Sequence, residues 1–231
     1  MAESLKCRNV EVAESLKCRI VKMEESLKYS GICDMGITPE SSVERHPFEP
    51  FLPENAAVLF LGSFPPQPKR WSMEFYYPNW INDFWRICGL LFYEDRRHFE
   101  RPGEKAFDKE RIVDFCRAKG FAMYDTATEI RRLKDNASDK FLEVVTPTDI
   151  PSLLSRIPRC RAIVTTGQKA TETLCATFNC PQPPMGGFIP LHADTRTLSF
   201  WRMPSTSRAY PLSLEKKAAA YRPLFLAIGL L

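Results

Sequence analysis

The sequence predicts an α/β fold built around a mostly parallel sheet, and three features predict it. Short continuous apolar runs alternate with stretches of helical periodicity, the order expected of parallel strands joined by crossover helices. Polar residues stand at the ends of those runs, where parallel sheets carry their sites. A chain of 231 residues also suffices for one domain with helices on both faces of the sheet.

Along the chain, the segment Ala2-Glu3-Ser4-Leu5-Lys6-Cys7-Arg8 returns at residues 13–19, and Glu25-Ser26-Leu27-Lys28 echoes it, a repeat with a period of 11. Such a period is compatible with a helix that aligns Leu5, Leu16 and Leu27. Near-identity of the units favours a duplicated, dispensable leader over residues 1–34, with Met35 as a plausible start. Six basic and six acidic residues cancel in the leader, so the formal charge of +4 lies on residues 35–231. Pro47, Pro50 and Pro53 make residues 35–54 an extended lead-in. The domain proper is expected over residues 55–231.

Residues 58–61, Val-Leu-Phe-Leu, read as a fully buried strand ended by Gly62 and the Pro65-Pro66 turn. Residues 82–92 form a helix candidate, with Phe84, Ile87, Leu90 and Leu91 at helical spacing, and residues 111–118 form another. Phe121-Ala122-Met123-Tyr124 is the second strand, with Asp125 at its end. Asp149 followed by Ile150-Pro151 opens a helix, since Asp caps and proline fits the first turn. Residues 161–166 give a third strand, leading through Gly167 into a helix that ends near Phe178. Residues 197–201 give a fourth, before Met203-Pro204-Ser205-Thr206-Ser207, and residues 214–226 a terminal helix with an irregularity expected at Pro223.

Composition excludes several classes. The hydrophobic fraction of 44% and charged fraction of 26% suit a soluble globular protein, and no apolar run approaches a membrane span. Without a secretory signal pattern, the expected compartment is the cytoplasm. Eight cysteines contain no Cys-x-x-Cys pair, so reduced structural thiols are expected, and three scattered histidines argue against zinc.

Gly62-Ser63-Phe64-Pro65-Pro66 is neither a nucleophile elbow, which needs glycine two residues after the serine, nor a phosphate loop, which ends in Gly-Lys-Ser/Thr. Taken with two distant segments it acquires meaning. Residues 58–85, from Val58-Leu59-Phe60-Leu61-Gly62-Ser63-Phe64-Pro65-Pro66 through Tyr76-Tyr77-Pro78-Asn79-Trp80-Ile81-Asn82-Asp83-Phe84-Trp85, resemble the first motif and following helix start of the mismatch-specific and hypoxanthine-DNA glycosylases of the uracil-DNA glycosylase superfamily. Met203-Pro204-Ser205-Thr206-Ser207, with Leu214-Glu215-Lys216-Lys217 behind it, resembles their second motif. Tyr124-Asp125-Thr126-Ala127 looks like the strand end that faces a flipped base. The resemblance runs over roughly residues 55–226 in the right order.

It implies a three-layer α/β/α sandwich with a mostly parallel four-stranded central sheet. It also implies a monomeric enzyme that acts on DNA holding a damaged or mismatched base, with no metal or other cofactor. Such an enzyme flips a uracil, hypoxanthine or mismatched thymine and hydrolyses its N-glycosidic bond. Flipping is cheapest for mispaired or damaged bases.

The relatives' Asp or Asn near the first-motif glycine is absent here, where Ser63, Phe64 and Pro65 stand. The hypoxanthine-type relatives place an asparagine in the Asn-x-Phe-Trp segment, which makes Asn82 the candidate for orienting the attacking water. An asparagine before Asp83-Phe84-Trp85 also fits a helix cap. Asp125 stands where the relatives read the base edge, as an acceptor for a ring N–H; its bland alternative is capping the next turn. Gly62, Ser63, Phe64 and Tyr77 complete the expected base pocket, with Tyr77 as a stacking face. Met203, Pro204, Ser205, Thr206, Ser207 and Arg208 form the expected DNA-gripping loop. The basic pairs Lys69-Arg70, Arg131-Arg132 and Lys216-Lys217 are candidates for a DNA footprint or for solvated surface. Two alternatives share the same pocket: a DNA-binding protein of this fold without catalysis, and an enzyme acting on free nucleosides or nucleotides.

Overall fold

The computed structural model describes residues 42–133 and 141–231, and the repeated leader lies outside them. The first strand, β1 (Val43–Arg45), comes from the lead-in. β2 (Val58–Gly62) follows, then a 3-10 turn at Pro68–Arg70, α1 (Phe84–Tyr93) and α2 (Lys109–Lys119). Next come β3 (Phe121–Asp125), β4 (Ala127–Arg132), β5 (Leu142–Pro147) and α3 (Ile150–Arg156). β6 (Ala162–Thr166), α4 (Gln168–Phe178), β7 (Phe188–Ala193), β8 (Arg196–Met203) and α5 (Leu214–Ala227) complete the order.

The central sheet has the order β3-β2-β6-β8-β7. The first four strands run parallel, and β7 adds an antiparallel edge through a hairpin with β8. The expected four-stranded sheet is therefore corrected to five strands. β7 carries Pro190 and alternates exposed with covered residues, a pattern that an edge strand tolerates and that gives little strand signal. Its two-residue turn puts Asp194 at φ 53, a conformation Asp accepts more readily than most residues. A second sheet, β1-β4-β5, is antiparallel. Its pairing shifts register twice along β4, and the bulged strand loses the period-two pattern by which it could be read.

Strands β2, β3 and β6 are buried from end to end, which requires cover on both faces. Phe60 and Phe121 turn to one face, where Phe60 packs on Phe84 of α1 and Phe121 stacks on Phe225 of α5. Thr165 turns to the other, where its hydroxyl meets Thr171 of α4 at 2.8 Å. Helices thus lie on both sides of the sheet. Caps set their ends: Asp108, Asp149 and Ser213 each accept the backbone N–H three residues on, opening α2, α3 and α5. Gly120 closes α2 at φ 67. α5 continues through Pro223. Cys88, Cys116 and Cys160 are buried free thiols, and burial pushes the Cys160 thiol up to about 11. Among the described residues no helix is long and apolar enough to cross a membrane.

Candidate active site

The carboxyl ends of β2, β3 and β6 finish side by side, with Gly62 paired to Asp125 and Leu61 to Thr165. A Cβ on Gly62 would overlap Asp125 Oδ1, so the carboxylate can lie across this position only because the residue is glycine. Above these strand ends opens a cleft of about 660 Å³, a size typical of small-ligand sites. Gly62, Ser63, Phe64, Tyr77, Asn82 and Asp125 all line it, as do Ser205, Thr206 and Ser207 from the far end of the chain.

Asp125 is buried, and its Oδ2 lies 2.9 Å from His46 Nε2. Its backbone carbonyl accepts the Thr148 hydroxyl at 2.7 Å. The chain bends at Thr126 and passes at Ala127 into β4 of the second sheet, and the Asp125 carboxylate is directed to His46 rather than to a following backbone N–H. Phe64 packs with Ala127, Ile130 and Leu142, and its ring stands edge-on to His46.

Tyr77 sits at φ 52, a strained backbone for a bulky residue and one that tends to mark functional sites. Its ring stacks on Phe84 at 4.0 Å and 9°, and its hydroxyl meets Thr166 Oγ1 at 3.0 Å. Burial pushes the Tyr77 phenol far above its ordinary range, against a smaller lowering by Thr166, so it stays protonated. The neighbouring Tyr76 phenol, which donates to the Glu49 carbonyl, is raised by burial and then by Asp125.

Asn82 Oδ1 accepts the backbone N–H of Phe84 at 2.9 Å, a local turn that leads into α1 across its N-cap position Asp83. It lines the cleft at the same time. One lone pair of Oδ1 and the amide N–H₂ lie outside that bond.

The loop after β8 is strapped to the residues before α1. Asn82 bridges to Ser207, and Asp83 N–H donates to the Thr206 carbonyl at 2.8 Å. Asp83 is buried and receives Lys217 Nζ at 2.8 Å and Arg208 Nε at 3.0 Å. Lys217 also donates to the Ser207 carbonyl at 2.8 Å. The Ser205 and Ser207 hydroxyl oxygens accept from the backbone N–H two residues on. Their own O–H groups are thereby left to donate elsewhere. Met203 is fully buried and Pro204 is buried, with its carbonyl taking the Tyr221 hydroxyl. Neither they nor Arg208, which turns back to Asp83, lines the cleft.

The basic pairs separate. Lys217 is fully buried while Lys216 is exposed. Arg132 is held by both Glu44 oxygens at 2.9 and 3.1 Å, and Arg131 lies 3.8 Å from Glu143. Arg70 and Arg132 line the cleft, so its wall carries two guanidinium groups against the one carboxylate of Asp125. Sequence reasoning missed His46 and Thr166, and it named Arg132 only within a basic pair read as DNA footprint or solvated surface. Thr166 ends a strand directly before Gly167, the same position that singled out Asp125, whereas nothing local in Glu44-Arg45-His46-Pro47 announces a contact 79 residues away.

No family model matches the chain, and no curated protein is similar to it at a significant level. Among solved structures, it is similar to a solution NMR structure of a "putative Uracil DNA glycosylase" from Methanosarcina acetivorans. The likeness has a TM-score of 0.53 and 21% identity over 79% of this chain and 99% of the other. At that identity the shared property is the fold.

Proposed function

We propose that the protein is a DNA N-glycosylase of the uracil-DNA glycosylase type, in the mismatch-specific or hypoxanthine branch, that takes one everted base into the cleft and hydrolyses its N-glycosidic bond. The observation that carries this reading is the opening of Tyr77, Asn82, Asp125 and Ser205, from three stretches far apart in sequence, onto one cleft beside the parallel strand ends. Likeness of fold to the archaeal structure adds support.

In this reading an everted base stacks on the face of Tyr77 not covered by Phe84, a contact of about 1–3 kcal/mol. Asp125 accepts the ring N–H that uracil, thymine and hypoxanthine all present. Asn82 orients a water toward C1′ of the sugar. The C1′–N bond breaks with its electron pair passing to the base, water oxygen bonds to C1′, and the proton released by water ends on the base or in solvent. An amide orients water and does not act as a base, so the catalysis is by positioning. The hydroxyls of Ser205 and Ser207 and the guanidinium of Arg70 meet phosphates at the rim. The enzyme acts as a monomer in the cytoplasm, needing neither metal nor other cofactor.

The test is a base-release panel. Uracil, hypoxanthine and mismatched thymine are placed singly in single- and double-stranded oligonucleotides, with the free nucleosides alongside. Release from an oligonucleotide, abolished or strongly slowed by Asn82→Ala and Asp125→Ala, is expected. Turnover of free nucleosides with indifference to DNA would replace this reading with that of a small-molecule enzyme.

A further inference from the structure

We propose that His46 is the positioning residue for Asp125, donating from Nε2 to fix the carboxylate as a hydrogen-bond acceptor turned to the cleft. This rests on the glycosylase reading and deepens it by naming what sets the base-reading group.

His46 follows β1, and its backbone N–H is tied to the Thr128 carbonyl at 2.8 Å. The imidazole is almost wholly buried, with 3% of the side chain exposed. Tyr124 lies 4.6 Å and Phe64 5.3 Å from its ring centre, with Phe48 and Tyr76 slightly farther. Four rings therefore fix its plane.

Nδ1 lies 3.1 Å from Phe48 N and 2.8 Å from Phe48 O. In a neutral ring these two contacts exclude each other, and the choice falls to the other nitrogen: an ionised carboxylate only accepts, so the proton belongs on Nε2 and Nδ1 accepts from the Phe48 N–H. A second proton on Nδ1 would serve the Phe48 carbonyl instead, and Nε2 would still donate. In both forms Asp125 Oδ2 is the acceptor, at 2.9 Å.

Asp125 needs such a partner. The residue is 7% exposed, and a buried carboxylate without a donor is costly. One donor on Oδ2 compensates the charge and leaves Oδ1, lying across Gly62, for a ligand. It also fixes the type of edge that fits: a ring N–H is welcomed, while the ring-nitrogen acceptors of cytosine and adenine face a group with no proton to give. The lead-in, which looks like a tether in sequence, thereby sets the chemistry of the pocket.

The test uses the full chain with its best oligonucleotide substrate. His46→Phe keeps a ring in the aromatic nest and removes the donor, whereas His46→Gln restores an N–H near the place of Nε2. His46→Phe is expected to slow single-turnover excision by about 10–100-fold, the size of one lost hydrogen bond to a charged group. DNA affinity should change by less than about twofold, because the loss falls on base alignment rather than on the phosphate grip. His46→Gln should recover most of the rate. In an Asp125→Ala background His46→Phe should add less than about twofold, since its route of action is gone. An unchanged rate in His46→Phe, no rescue by Gln, or the same loss in both backgrounds overturns the inference alone. Absence of excision by the unaltered protein removes the glycosylase reading and this inference with it. Long-range ¹H–¹⁵N spectra of the unaltered protein should find His46 Nε2 protonated, and an unprotonated Nε2 would overturn the donor assignment whatever the activity.

Discussion

Replacing Lys217 by methionine should weaken the whole domain, because its ammonium group is an internal strut. The side chain is 0% exposed and donates to Asp83 Oδ2 and to the Ser207 carbonyl, each at 2.8 Å. Methionine fills similar volume but supplies no donor. Asp83 would then keep only Arg208 Nε at 3.0 Å, on a half-exposed side chain, and Arg86 at 4.0 Å. Removing one member of a buried ion pair costs about 3–5 kcal/mol. The surviving Arg208 bond argues for the lower end, about 3 kcal/mol. At about 2–4 °C per kcal/mol for a domain of this size, the melting temperature should fall by about 6–12 °C. Urea unfolding followed by circular dichroism gives the free energy directly. Adding Asp83→Asn to Lys217→Met removes the stranded charge and should recover at least about 1 kcal/mol. A Lys217→Met protein within about 0.5 kcal/mol of the parent would refute the strut. The same strap holds Thr206 and Ser207 against Asn82 and Asp83, so DNA binding should weaken along with stability.

Other outcomes follow from the cleft. Asn82→Ala should cost about 1 kcal/mol of stability by removing the acceptor for the first N–H of α1, and under the proposed role of its amide in orienting water it should slow single-turnover excision at least about 100-fold. Tyr77→Phe keeps the stack on Phe84 and loses only the hydroxyl contact to Thr166, about 1 kcal/mol in an unfolding measurement. Tyr77→Ala should in addition weaken binding of lesion-containing DNA by about 5–150-fold, the worth of one base stack. Gly62→Ala forces a methyl into the Asp125 carboxylate, costing about 1–3 kcal/mol of stability and displacing the group proposed to read the base, so excision should fall more than the melt suggests. Burial raises the phenols of Tyr76, Tyr77 and Tyr221, so the folded state keeps their protons when unfolded tyrosines ionise. Their contribution is fully present below about pH 10 and is lost as pH rises beyond it, which a series of denaturant melts across pH 8–11 would detect.

β2, β3 and β6 were legible because each is a short, mainly apolar run closed by Gly or a polar residue, and β8 was legible because buried Leu198 and Phe200 alternate with Thr197 and Ser199. β4 was not, because its bulged pairing breaks alternation, and β7 was not, because Pro190 and an exposed edge leave a mixed pattern. Asn82, Tyr77 and Asp125 could be picked out by motif order, and they share one cleft. His46 could not, since the contact that gives it meaning depends on β1 folding back along β4. Lys217 illustrates the opposite error: beside Lys216 it looks like half of a surface pair, but a helix points successive residues in different directions, and this one faces Asp83.

The central claim is that the cleft holds an everted base while water attacks its sugar. Single-turnover incubation with a duplex carrying one uracil or one hypoxanthine tests it most directly, scoring free base and abasic strand together. The account predicts equal amounts of the two from at least one of these duplexes, falling at least about 100-fold with Asn82→Ala. Duplex that is bound yet left intact, for every lesion offered, would contradict it.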